Sequence, residues 1–284
     1  MNLSFKFSGF SDEIDKDIII QFTALNKMGI RYFEPRGING TNVSDLTDEE
    51  VENLITVMNL YGIKASSIGS PIGKIFINED FEPHFEKYKR TVWIAKRLGA
   101  KYIRMFSFFI PQGENPADHR DEVFNRLRQL IDYAKQEDII LLHENEKDIY
   151  GDTIKRCEDL FENLYCDNFK GVFDAANFVQ CGENTVEAFD RLRKYEAYFH
   201  VKDSKEDGTI VPPGQGLGNY PYIMKKLIDE KYDGFVSMEP HLGSFEGLAD
   251  LELDDKMLKL EKGGEETFAL AFNSLCEIIE RVQK

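Results

Sequence analysis

The feature that most constrains this chain is an alternation repeated eight times: a short β-rich run, a longer amphipathic run, then a glycine or polar break. FKFSGF (5–10) precedes DKDIIIQFTALNKMG, RYFEPR (31–36) precedes TDEEVENLITVMNLYG, IKASSIGS (63–70) precedes EPHFEKYKRTVWIAKRLG, and KYIRMFSFF (101–109) precedes HRDEVFNRLRQLIDYAKQED. IILLHENE (139–146), FKGVFDAAN (169–177), AYFHVKD (197–203) and GFVSMEPHL (234–242) continue the pattern, which closes on EETFALAFNSLCEIIERVQK. Val51, Leu54, Ile55 and Met58 follow the i, i+3, i+4, i+7 spacing of one helix face. Gly29, Gly62 and Gly99 stand where helices must stop and strands begin. Ser44, Thr47 and Asp48 form a cap-like start to the second helix.

Strands alternating with helices pair in parallel through right-handed crossovers. Eight such units fill all 284 residues without a linker or low-complexity segment. The expected fold class is therefore α/β, a (β/α)8 TIM barrel, with residues 1–284 as one domain. The alternative, an open doubly wound sheet, often carries a glycine-rich first turn, whereas SGFSDEID has one glycine.

Composition narrows the partners. The 42% hydrophobic content suffices for a sizeable core, and 51 acidic against 35 basic residues give a net charge of −16. That field repels nucleic acid and anionic lipid. Cys157, Cys166, Cys181 and Cys276 form no C-x-x-C pair and read as free thiols. The first residues contain acid and no apolar run of signal-peptide length, and no segment is apolar enough to span a bilayer. The expected location is the cytoplasm.

Barrel active sites lie at the carboxyl ends of the strands. Glu144 ends the fifth strand, Asp174 the sixth, His200 the seventh and Glu239 the eighth. Three carboxylates and an imidazole on one rim suit one divalent cation: Mn, Mg, Co or Zn. Without it, crowded carboxylates would raise one another's pKa. Glu146 is the substitute first ligand, being on the same face as Glu144 but farther from the apolar IILL run, and His143 reads as a packing or supporting residue.

LLHENE, VFDAAN, FHVKD and SMEPH resemble the strand-end motifs of the sugar phosphate isomerase/epimerase, or xylose isomerase-like, TIM-barrel superfamily. The resemblance spans essentially the whole chain and is most specific from strand five onward. It is closest to the ketose 3-epimerases, hydroxypyruvate isomerases and inosose dehydratase-like proteins. It implies that Glu144, Asp174, His200 and Glu239 bind one divalent metal. It further implies that Glu144 and Glu239 are the catalytic acid/base pair, moving a proton beside a metal-bound carbonyl through an enediolate. This chain departs from the epimerases three residues after the metal aspartate. It has Asn177 where they have a substrate-contacting histidine, and an amide cannot shuttle a proton at neutral pH.

Further strand-end groups are candidates for substrate binding. Lys202 should share a face with His200; the resemblance aims such a lysine at a substrate oxygen, and the alternative is an ion pair with Asp203 or Asp174. Glu34 and Arg36 share a face of strand two. Arg104, inside an apolar run, either lines the pocket or pairs with Glu34 or Glu144. His241, two residues after Glu239, can reach the rim. Gly214, Gly216 and Gly218 could turn amides toward an anion or simply make a tight turn. Segment 242–265 is long for a βα connection; it reads as a specificity lid or an oligomer contact, with a short solvated helix as the alternative.

The function expected from the sequence is a metal-dependent isomerase or epimerase of a small sugar, keto-sugar or polyol-derived ketone, phosphorylated or not. A lyase or dehydratase on the same site is the alternative. The partner is a small carbohydrate substrate, with no nucleic acid or membrane, and a homo-oligomer is open. A multi-zinc phosphodiesterase of the endonuclease IV type, in the same superfamily, fits poorly with five histidines and this charge. A non-enzymatic sugar-binding barrel fits poorly with a complete set of four ligands.

Overall fold

The structure is a computed structural model and describes residues 3–245 and 262–284. Its strands are β1 (Lys6–Gly9), β2 (Tyr32–Phe33), β3 in two pieces (Lys64–Ala65 and Ile68–Gly69), β4 (Tyr102–Met105), β5 (Ile140–Glu144), β6 (Phe169–Asp174), β7 (Glu196–Val201) and β8 (Phe235–Met238). The order β1-β8-β7-β6-β5-β4-β3 is parallel throughout. β2 closes the ring: it pairs with the first piece of β3, and Glu34 N–H, directly after it, donates to Gly9 C=O of β1 at 2.9 Å. The result is the eight-stranded barrel that the alternation predicts.

Helices alternate with the strands: α1 (Ile18–Lys27), α2 (Asp48–Tyr61), α3 (Phe81–Leu98), α4 (Arg120–Glu137), α5 (Ile154–Leu164), α6 (Ala175–Gln180), α7 (Thr185–Leu192), α8 (Tyr220–Asp229) and α9 (Glu265–Val282). Thr47 caps α2 in a reciprocal capping box with Glu50, which supplies partners for two otherwise orphaned N–H groups. Ser44 does not share in that cap; its hydroxyl meets Thr91 Oγ1 at 2.9 Å. Gly62 and Gly99 end their helices with φ of 64° and 71°, the left-handed geometry that glycine adopts without a Cβ clash.

Several β-rich runs shorten. The run 31–36 is a strand only at Tyr32–Phe33, since Pro35 has no N–H to donate. The run 101–109 stops at Met105, after which Phe108 turns at a φ of 67°. VFDAAN does not lead straight into the helix at 185; Asp174 caps the extra helix α6 first.

Alternation sorts the side chains. One set, including Leu141, Phe173, Phe199 and Val236, packs outward into the large core beneath the helices. Leu142, Val172 and Tyr198 form a separate apolar cluster. They occur two residues before Glu144, Asp174 and His200, so period-2 alternation puts them on the same inward face. The barrel interior is thus an apolar plug under a polar floor. All four cysteines are free thiols, and among the described residues no helix is long and apolar enough to cross a membrane.

Candidate metal centre

Glu144, Asp174, His200 and Glu239 come together as the strand-end pattern anticipates. Each offers one ligand atom, and these atoms lie within 4.8 Å of one another. All four are at most 3% exposed. His200 Nδ1 lies 3.0 Å from Glu144 Oε1 and 3.5 Å from Glu239 Oε2. Asp174 Oδ1 accepts the Asn177 amide at 2.8 Å, while Asp174 Oδ2 and Glu239 Oε2 are buried without a hydrogen-bond partner. Buried carboxylate oxygens of this kind need a cation. The oxygen and imidazole donors suit a hard or borderline divalent ion, so the residues present fit one.

The electrostatics are dense. Burial and the Glu239 carboxylate oppose ionisation of Glu144, but His200 and Arg104 outweigh them and hold it at about 2. Burial likewise opposes the charge on Glu239, yet Lys202, His241, His200 and Arg36 hold it well below the usual carboxylate range. For Asp174, burial wins over the attraction of Lys202 and raises the group to about 7. The Lys202 ammonium, 3.5 Å from Asp174 Oδ2 and 3.7 Å from Glu239 Oε2, keeps its proton against burial because these carboxylates face it.

The other sequence candidates fall into three positions. Arg104 pairs with Glu144, Nη1 to Oε2, at 2.9 Å. Asn177 Nδ2 donates to Asn145 C=O at 2.8 Å and reaches Glu144 Oε1 at 3.4 Å. His241 Nε2 lies 3.4 Å from Glu13 Oε1 and 3.5 Å from Glu239 Oε1. Glu34 lies elsewhere, on the opposite edge of the His200 ring. Its Oε2 accepts from His200 Nε2 at 3.2 Å, Tyr198 OH at 3.0 Å and Ser237 Oγ at 2.8 Å. Glu146 is outside the cluster, 3.4 Å from Lys74. His143 packs against Phe161 and Phe169 and meets Ser107 Oγ at 2.9 Å.

Two groups were not anticipated. Asp12 and Glu13, in the turn after β1, hold Arg36 against the cluster. Asp12 takes Arg36 in a two-point contact of 2.8 and 3.1 Å, and Arg36 Nη1 reaches Glu239 Oε1 at 3.1 Å. Phe10 lies under both arginines and edge-on to His200. The available signal was the acid density of SDEID directly after the first strand. Of the two readings of the glycine loop, the structure shows the turn. The amides of Gly214, Gly216 and Gly218 point at the chain's own Asp203, at 2.7, 3.0 and 2.8 Å. A Cβ on Gly216 would sit 2.4 Å from Asp203 Oδ1, so only glycine allows that approach. The lid or oligomer contact expected over 242–265 lies mostly outside the described residues.

Comparison with known proteins adds the following. Residues 22–259 match the family model described as xylose isomerase-like TIM barrel. An inosose dehydratase of Mesomycoplasma hyopneumoniae (strain 7448) is 24% identical over 234 residues, covering 72% of this chain and 77% of that protein. A 3-dehydroshikimate dehydratase of Bacillus anthracis is 24% identical over 241 residues, covering 78% and 84%. The crystal structure of the IolI protein with a bound zinc atom superposes with a TM-score of 0.75 at 18% identity, over 98% of this chain and 99% of that one.

Proposed function

The chain belongs to the xylose isomerase-like TIM barrel family, and from that premise we propose that it is a divalent-metal-dependent enzyme that removes a proton beside the carbonyl of a small polyhydroxylated ketone. The observation that carries this reading is the buried convergence of Glu144, Asp174, His200 and Glu239. Glu144, Asp174, His200 and Glu239 would hold a divalent ion there, which would supply Lewis-acid polarisation and charge stabilisation beside the carbonyl.

The chain's own groups divide the remaining work. Glu144 and Glu239 are both kept ionised, as a proton acceptor must be. Arg104 and His200 orient the first; Arg36, Lys202 and His241 orient the second. The near-complete burial of these groups excludes competing water. Lys202 is a protonated cation among the acids, able to hydrogen-bond a substrate oxygen.

Two endings are open to such an enolate. Return of the proton gives an isomerase or epimerase, the outcome implied by the family resemblance. Expulsion of a hydroxyl gives a dehydratase. The second is better supported: Asn177 cannot relay a proton, and both curated relatives above are named as dehydratases. The test is incubation of the Mn-loaded protein in D2O with a pool of ketoses, keto-polyols, their acids and their phosphates. Deuterium beside a carbonyl, or loss of one water by mass, is the expected result. Neither change despite bound metal overturns the proposal.

A further inference from the structure

We propose that Arg104 is the receptor for a carboxylate on the substrate, so that the natural ligand is a polyhydroxylated keto acid. This rests on the proposed enolising site, which places the substrate against Glu144. The guanidinium of Arg104 is 2% exposed and lies against the rings of Phe10 and Phe106, 5.1 and 4.7 Å from their centroids. Nη1 is used by Glu144 at 2.9 Å. Nε and Nη2, which together form one edge of the planar group, are buried without any hydrogen-bond partner.

Arg36 provides the contrast. It lies 4.4 Å from the centroid of the same Phe10 ring, and its Nε–Nη2 edge is filled by the two oxygens of Asp12. Of these two guanidiniums around one ring, one edge is closed by the protein's own carboxylate and the other is open. Arginine cannot relieve an unmet edge by losing its proton. The spacing of the two N–H groups matches the two oxygens of a planar carboxylate, the partner that gives the strongest two-point contact.

The acids facing Arg104 do not close that edge. Glu144, Glu239 and Glu34 are the carboxylates whose charges it feels. Glu144 takes only Nη1, Glu239 reaches Arg36 and Lys202, and Glu34 accepts through Oε2 from Tyr198, His200 and Ser237; the remaining oxygens, Glu34 Oε1 and Glu239 Oε2, are themselves buried without a hydrogen-bond partner and do not bond the Arg104 edge. A hydroxyl could take one N–H of the open edge; a carboxylate takes both. The class of substrate follows: a ketone bearing hydroxyls for the metal end and an acid group for Arg104.

The experiment is isothermal titration of the full-length Mn-loaded chain with quinate, its methyl ester and myo-inositol. Quinate should bind about 10- to 100-fold more tightly than either neutral ligand, the range set by a hydrogen-bonded charge. In R104K, which keeps a cation beside Glu144 but has no fork, the acid-to-ester ratio should fall to within about threefold of unity. The ratio within one protein is the readout, taken at equal Mn content in wild type and variant, because quinate's carboxylate and adjacent hydroxyl can also chelate the ion and a loss of metal would weaken the acid more than the ester. The wild-type ratio stands as a test even if the variant does not fold. Equal binding of acid and ester, a preference that survives R104K, or no binding of quinate each overturns the proposal. Deuterium exchange into neutral ketones without acid preference would remove this inference and leave the enolising function standing; acid preference without exchange on any ketone would overturn the enolising function and leave Arg104 only as an acid-binding group.

Discussion

Asp174 shows how much one side chain does here: one oxygen caps α6 and the other faces the ligand cluster without a hydrogen bond. Replacing it, Asp174→Ala, should abolish tight Mn binding, a loss beyond the roughly 10- to 100-fold that follows removal of an outer-shell partner. Metal content after gel filtration checks this, and unchanged stoichiometry with unchanged activity would sink the site. Glu34 belongs to the outer class. By accepting from His200 Nε2 it leaves Nδ1 directed at the carboxylates, the arrangement that fixes a ligand histidine. Glu34→Gln should weaken Mn affinity about 10- to 100-fold in a chelator competition while the circular dichroism spectrum stays unchanged. At this scale the four strand-end residues were legible because the period of a βα unit repeats them. The role of Glu34 was not, because sequence places it on a strand face but not on one side or the other of a particular ring. Asp12 and Glu13 belong to a short helical turn with no period to announce them.

Among the elements, the loop after β7 is organised by Asp203, which takes four backbone amides, those of Ser204, Gly214, Gly216 and Gly218. Asp203→Ala should cost about 2–4 kcal/mol, since buried donors left unmet are expensive. Urea denaturation reads the cost, and faster hydrogen exchange at 214–218 locates it. Helix α3 carries a pH-sensitive contact. His84 Nε2 accepts the Gly73 amide at 2.7 Å, which requires an unprotonated ring. Burial, then Lys87 and Arg126, lowers His84 from 6.5 to about 4. Between those values the unfolded chain binds the proton and the folded chain does not, so stability falls as pH drops through that window. The limit is about 3 kcal/mol. Urea midpoints from pH 7 to 4 should show that slope, and His84→Gln should flatten it. Helix positions were readable from apolar spacing and glycine stops. Strand lengths were not, because Pro35 and the turn at Phe108 cut the ladder where composition still favours β structure.

For the whole molecule, a divalent ion held by the acids of the proposed centre would make metal content a stability variable. An ion present at a hundredfold above its Kd adds about 2.7 kcal/mol. Chelation should therefore lower Tm by roughly 5–10 °C, and calorimetry with and without EDTA, with Mn added back, measures it; an unmoved Tm counts against resident metal. The closed barrel could be read from eight repeats. The pairing of its buried charges could not, because which cation meets which acid depends on contacts between residues as distant as Arg36 and Glu239. Asp203 carries a last consequence. Its carboxylate already occupies amides of the kind that hold phosphate groups elsewhere, so a phosphate could use them only by displacing that side chain. Codons for aspartate and glycine differ by a single base. A single base change can thus free those amides and loosen the loop that carries them, without altering any of the four residues that gather at the strand ends.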